Sequence, residues 1–116
     1  MQLTIGACLG IVTVRPELEY LDASNAAAFR AAFEQAVPPA ARAALDLATL
    51  AFIDSSGCGT MLALLRRAAA AGGDLKLCGL RPPVRTILQM VRMHRVFDLC
   101  HDPAEAVAAF VAPAVQ

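Results

Sequence analysis

The sequence has no tryptophan, one tyrosine and no surplus of charge, with ten basic side chains facing ten acidic ones in 116 residues. The charge balance excludes bulk electrostatic adhesion to nucleic acid, which needs a net cationic footprint. No nucleic-acid partner is expected. No apolar run approaches the roughly 20 residues that a membrane span requires. Met1 to Leu9 carries no Lys or Arg ahead of its apolar stretch, so it does not read as a secretory signal. Direct membrane insertion is not expected either. The four cysteines, Cys8, Cys58, Cys78 and Cys100, contain no C-x-x-C pair, and His94 and His101 stand apart from ligand spacing. These absences predict no metal site and no cofactor, and reduced thiols in a cytoplasmic protein.

What is present is apolar and small. Hydrophobic residues make up 58% and charged residues 17%, which excludes a disordered chain. The length is that of one domain spanning residues 1–116, long enough for a single core without staples. Oligomeric state is left open, although alanine-rich faces favour a monomer. One charge asymmetry stands out. Between Arg66 and Arg95 lie Arg66, Arg67, Lys76, Arg81, Arg85, Arg92 and Arg95 against the single acid Asp74. This run reads either as solvated helix faces or as a basic docking surface.

Punctuation along the chain predicts the elements. Leu3 to Cys8 and Ile11 to Val14 are β-compatible runs joined by Leu9-Gly10, which reads as a hairpin. Asp22-Ala23-Ser24-Asn25 offers cap residues before a helix over Ala26 to Val37, ended by Pro38-Pro39. Leu45-Asp46-Leu47 is a buried strand leading to Phe52-Ile53. A second helix starts after Asp54-Ser55-Ser56-Gly57, runs through Met61, Leu62, Leu65 and Ala69, and stops at Gly72-Gly73. Leu75 to Cys78 is a strand, Pro82 opens a helix striped by Val84, Ile87, Leu88 and Val91, and Val96 to Leu99 is a last strand. Asp102-Pro103 caps a final helix with Val107 and Phe110 inward. The order β-β-α-β-α-β-α-β-α predicts an α/β sheet with parallel neighbours after the hairpin. In such sheets the carboxyl ends of the strands carry the binding edge, and the Asp54 segment lies there.

Asp54-Ser55-Ser56-Gly57-Cys58-Gly59 is the one stretch dense in reactive or permissive residues. Enzymatic templates fit it poorly. A nucleophile elbow centred on Ser56 needs glycine where Asp54 stands. A phosphate loop needs the lysine that Gly59-Thr60 lacks, and a dinucleotide fingerprint needs glycine where Leu62 stands. Cys58 near a helix start is either an activated thiol or a small core residue. The segment as a whole reads either as a helix cap or as a surface where small residues leave a hydroxyl approachable by another protein.

The segment resembles the signature of STAS domains of the anti-sigma factor antagonist family. The likeness covers about Leu3 to Phe110. It rests on Tyr20-Leu21-Asp22-Ala23-Ser24-Asn25-Ala26, on Leu45-Asp46-Leu47, on Phe52-Ile53-Asp54-Ser55-Ser56-Gly57, on Gly72-Gly73-Asp74-Leu75-Lys76-Leu77 and on Val91 to Phe97. The resemblance implies a STAS fold, a single four- to five-stranded mixed sheet with four helices mainly on one face. It implies a partner-switching regulator and no enzyme. The partner is an anti-sigma factor, often a serine kinase of the histidine-kinase-like ATPase superfamily, which phosphorylates the Asp-Ser-Ser-Gly motif and is thereby released. A PP2C-type phosphatase resets the switch. By motif position the phosphoacceptor is Ser56, with Ser55 as the alternate. Asp22, Asn25, Asp54, Ser55, Gly57, Cys58 and Gly59 are the implied partner-binding residues, Asp22 also reading as a helix cap. Two positions depart from the family pattern: Leu18-Glu19-Tyr20 fills a stretch that often holds glycine, and Cys58 replaces a larger aliphatic residue. The alternative within the fold is a constitutive subunit of a lipid-transport ABC system or of a stress-sensing scaffold.

Overall fold

The computed structural model describes residues 1–111. Strands β1 (Leu3–Cys8) and β2 (Ile11–Pro16) form an antiparallel hairpin. Its two turn residues, Leu9 and Gly10, both take positive φ, 53° and 80°. That turn matches the right-handed twist of the flanking strands, at the cost of holding a non-glycine residue in the left-handed region. Strands β4 (Arg42–Asp46), β6 (Asp74–Cys78) and β7 (Leu99–Cys100) continue the sheet in parallel, in the order β1-β2-β4-β6-β7. A separate pair, β3 (Tyr20–Leu21) and β5 (Phe52–Ile53), runs parallel in a second small sheet.

Strand alternation sorts the two faces of the large sheet. Val14, Ala43, Leu45, Leu75 and Leu77 point to one side, where they meet Phe29 and Phe33 of α1 (Ala26–Ala36), Met61 and Leu64 of α2 (Ser55–Ala70), and Val84 and Leu88 of α3 (Pro82–Met90). This is the main core. The alternate residues Ala44, Cys78 and Cys100 meet Ala106 of α4 (Pro103–Val111) on the other side. Small residues there let α4 lie close to the strands. The protein therefore has the expected mixed five-stranded sheet with four helices, three of them on one face.

Lys76 shares the α4 face and is buried there, so its ammonium needs partners. Nζ donates to Asp98 Oδ2 at 2.6 Å and lies 4.6 Å from the centre of the Phe110 ring. Helices α1 and α2 are tied by a comparable device. Arg67 donates from one terminal nitrogen to the carbonyl oxygens of Glu34 at 3.1 Å and Val37 at 3.0 Å, satisfying the open C-terminal end of α1 from outside. Arg81 likewise donates to the Ala48 carbonyl at 2.8 Å. Three of the seven bases between Arg66 and Arg95 are thus engaged within the fold, which corrects the reading of that run as a solvated or docking surface throughout.

The expected strand over Val96 to Leu99 is also corrected. A 3-10 turn occupies Met93–Arg95, entered through Arg92 at φ 61°, and β7 pairs Leu99 and Cys100 with Leu77 and Cys78. Met93 and Phe97 are the residues buried from that stretch, while Val96 is half exposed.

Candidate functional site

The site is assembled where β5 hands over to α2. Asp54 is the N-cap: its backbone is extended, and its Oδ1 accepts the Gly57 N–H at 3.0 Å. Its carbonyl accepts the Cys58 N–H at 3.0 Å, the first bond of the helix proper. Its own N–H donates to the Leu21 carbonyl at 3.2 Å, which locks the helix start against the end of β3. Asp54→Ala is expected to cost about 1 kcal/mol in chemical denaturation, the usual worth of a side-chain cap.

This capping leaves the first two helical residues unserved. Of the initial amides, Gly57 is taken by Asp54, and those of Ser55 and Ser56 have no helical acceptor to reach. Ser55 is exposed and Ser56 half-buried, and neither hydroxyl makes a hydrogen bond among the described residues. The arrangement offers a free hydroxyl beside free amides at the positive end of a 16-residue helix dipole.

Gly57 and Cys58, two of the implied partner-binding residues, turn inward. Both are buried. A Cβ on Gly57 would lie 2.6 Å from Ile53 Cγ1 and 2.7 Å from the Leu21 carbonyl oxygen, so glycine is there for inward packing. Burial, and next the Asp54 carboxylate, push the Cys58 thiol up from its ordinary range. An activated nucleophile needs the opposite shift, so Cys58 is a core residue. Gly59 is exposed, with nothing near a Cβ built on it.

Asp22 and Asn25 stand on the adjoining loop. Asp22 Oδ1 accepts from the Ser24 N–H and hydroxyl, and its backbone carbonyl accepts the Ala26 N–H at 2.9 Å. Asn25 Oδ1 accepts the Asp22 N–H at 2.9 Å, and its Nδ2 donates to the Tyr20 carbonyl at 2.9 Å. Neither side chain caps an amide of α1. They brace the loop that carries Asp22 instead.

Two residues of this region escaped sequence reasoning. Tyr20 and Phe52 are opposite each other in the β3–β5 register and are 50% and 48% exposed. They place two half-exposed aromatic residues on neighbouring strands that lead to the helix start. Beside them an open cleft of about 460 Å³ is lined by Glu17, Leu18, Glu19, Thr49, Ala51 and Arg81. Among the described residues no group of three metal-ligating side chains occurs, and no helix is long and apolar enough to cross a membrane.

The mixed sheet, its four helices and the helix start at the strand ends define a small α/β module. The chain belongs to the STAS domain family: the family model described as "Mlab, STAS domain" matches residues 19–100. BtrV of Bordetella bronchiseptica, named as an anti-sigma factor antagonist, is 31% identical over 104 residues, covering 90% of this chain and 84% of that one. Among solved structures, the Thermotoga maritima protein tm1081, described as an anti-sigma factor antagonist, superposes with a TM-score of 0.81 at 20% identity over 92% of each chain. The Bacillus cell-fate determinant SpoIIAA, solved in its phosphorylated form, superposes with a TM-score of 0.66 at 22% identity over 94% of this chain and 99% of that one. These structural likenesses fix the fold.

Proposed function

We propose that this protein is an anti-sigma factor antagonist that works by partner switching in the cytoplasm and catalyses nothing itself. The unphosphorylated form binds an anti-sigma factor that is also a serine kinase of the histidine-kinase-like ATPase superfamily. Transfer of phosphate to Ser56 releases that partner, and a PP2C-type phosphatase restores the hydroxyl. The observation that carries this reading is the uncommitted Ser56 hydroxyl at the open start of α2, beside the amides of Ser55 and Ser56. A phosphate adds about −1.5 to −2 charge and three acceptor oxygens. A helix N-terminus tolerates such an anion well. The modification therefore leaves the fold standing and acts on whatever covers the site.

Asp54 and Asp22 supply like charge at the same edge, which strengthens repulsion of a partner seated there once phosphate arrives. Ser55, being more exposed, is the competing acceptor, and incubation with the cognate kinase and labelled ATP separates the two. Incorporation that survives in Ser55→Ala and disappears in Ser56→Ala is the expected result. The reverse pattern assigns the switch to Ser55, and no incorporation in the wild type removes the switch altogether.

A second reading is favoured by the Mlab description of the matching family model. It keeps the same edge as a constant interface in a lipid-transport ABC assembly. In that case a permease–ATPase complex retains the protein, and phosphate on Ser56 is not part of its cycle.

A further inference from the structure

We propose that β1 is a homodimerisation edge, along which two copies of this chain join their sheets antiparallel about a twofold axis at Ile5. The proposal starts from an inventory of backbone groups. The hairpin turn makes Cys8 and Ile11 the closing pair, and the Glu17 N–H donates to the Gln2 carbonyl. Antiparallel ladders alternate, so the even residues Gln2, Thr4, Gly6 and Cys8 turn their N–H and C=O groups toward β2. Leu3, Ile5 and Ala7 turn theirs away from it. Because β1 is the edge of the sheet, these outward groups have no strand to pair with among the described residues.

Edge strands normally carry a device against pairing: lysine, proline, a bulge, an inward charge or a short length. β1 has none of them. Its sequence is Leu-Thr-Ile-Gly-Ala-Cys, uncharged and six residues long, with an unbroken register to β2. Five of those residues are exposed, Ile5 among them at 45%.

The occupant follows from register and charge. Outward groups must oppose outward groups, so Ile5 pairs with Ile5 of the second copy, Leu3 with Ala7, and Ala7 with Leu3. This pairing is self-complementary and isologous. Like charges directly opposite one another destabilise such a pair, and β1 has no charge to oppose. Its side chains suit close approach: Ile5, Leu3 and Ala7 form one apolar row, while Thr4 meets Gly6 on the other face. The far edge, β7, is only two residues long, so joining at β1 closes a dimer rather than propagating a fibre. A six-residue strand pair buries less than the roughly 1,600 Å² of a standard interface. The association is accordingly weak and concentration-dependent.

Sedimentation of the full chain from about 5 to about 500 µM tests this, a range suited to an interface below standard size. The mass is expected to rise from 12.2 kDa toward twice that value. Ile5→Pro deletes an outward N–H while sparing the ladder to β2, and Ile5→Lys sets two ammonium groups face to face. Both variants are expected to stay monomeric with unchanged far-ultraviolet circular dichroism. Amide exchange gives a second measurement: Leu3, Ile5 and Ala7 gain protection with concentration, and Thr4, Gly6 and Cys8 are protected throughout. A wild-type mass fixed at 12.2 kDa at the top concentration overturns the proposal. So does association that persists in both variants, or protection that does not alternate.

Discussion

Replacing Ser56 by aspartate is expected to lower affinity for the proposed anti-sigma partner about 100-fold and to move the melting temperature by no more than a few degrees. The two effects part because they draw on different physics. Within the free protein, a carboxylate at the second residue of α2 meets free amides and the positive helix end, which is worth about 0.3–1 kcal/mol of stabilisation. Repulsion from Asp54 offsets part of it. Within a complex, the same carboxylate must shed water against a partner selected for a neutral hydroxyl. An unpaired buried charge costs several kcal/mol, and about 3 kcal/mol corresponds to roughly two decades of affinity. Ser56→Ala is expected to bind as the wild type does and to take no phosphate from the proposed kinase. Side-by-side titration calorimetry with Ser56→Asp and Ser56→Ala checks the split. Equal affinities with a shifted melting temperature reduce the motif to a helix cap.

The largest stability effect is expected at Gly57. Its missing side chain is the contact surface between α2 and the small β3–β5 sheet. A Cβ there sits 2.7 Å from a backbone carbonyl oxygen, that of Leu21, and 3.0 Å from Leu21 Cγ. The carbonyl is held in place by its bond from Asp54, so the helix start has to retreat. Overpacking of this kind costs about 1–3 kcal/mol, which corresponds to a melting temperature lower by roughly 5–15 °C for a domain of this size. Gly59→Ala is the matched control. Its Cβ meets nothing, and alanine in a helix gains about 0.5–1 kcal/mol over glycine. Opposite shifts from two glycines two positions apart are the expected outcome in thermal denaturation. Similar shifts in both would mean that α2 is not wedged on Leu21.

Legibility in the sequence followed the length of the signal. The hairpin, α1, the α2 cap at Asp54 and the proline start of α3 were readable because each couples a periodic run to a punctuating residue. Strands β3 and β5 were not, since two residues carry no period and their pairing joins segments 32 positions apart. Their discovery changes the site, because they bring Tyr20, Phe52 and the Leu21 carbonyl to the helix start. Val96 looked like the beginning of a strand because Val-Phe-x-Leu has β character. The left-handed turn at Arg92 resets the chain, and only Leu99 and Cys100 reach the sheet. The inward turn of Gly57 and Cys58, which the resemblance implies as partner-binding residues, was hidden for a related reason. The helix phase that turns them inward is set by where Asp54 caps, and a one-residue change in that start rotates the face by about 100°.

The guanidinium of Arg67 carries a final consequence. By gripping two carbonyls at the end of α1 from a position on α2, it ties the C-terminal ends of the two helices together. The hold lies twelve positions along α2 from Ser55, so a partner seated at the helix start, as proposed, leaves it untouched. In the partner-switching reading, a charge placed at the helix start then acts on how fast the partner leaves, with the helix packing behind it unchanged.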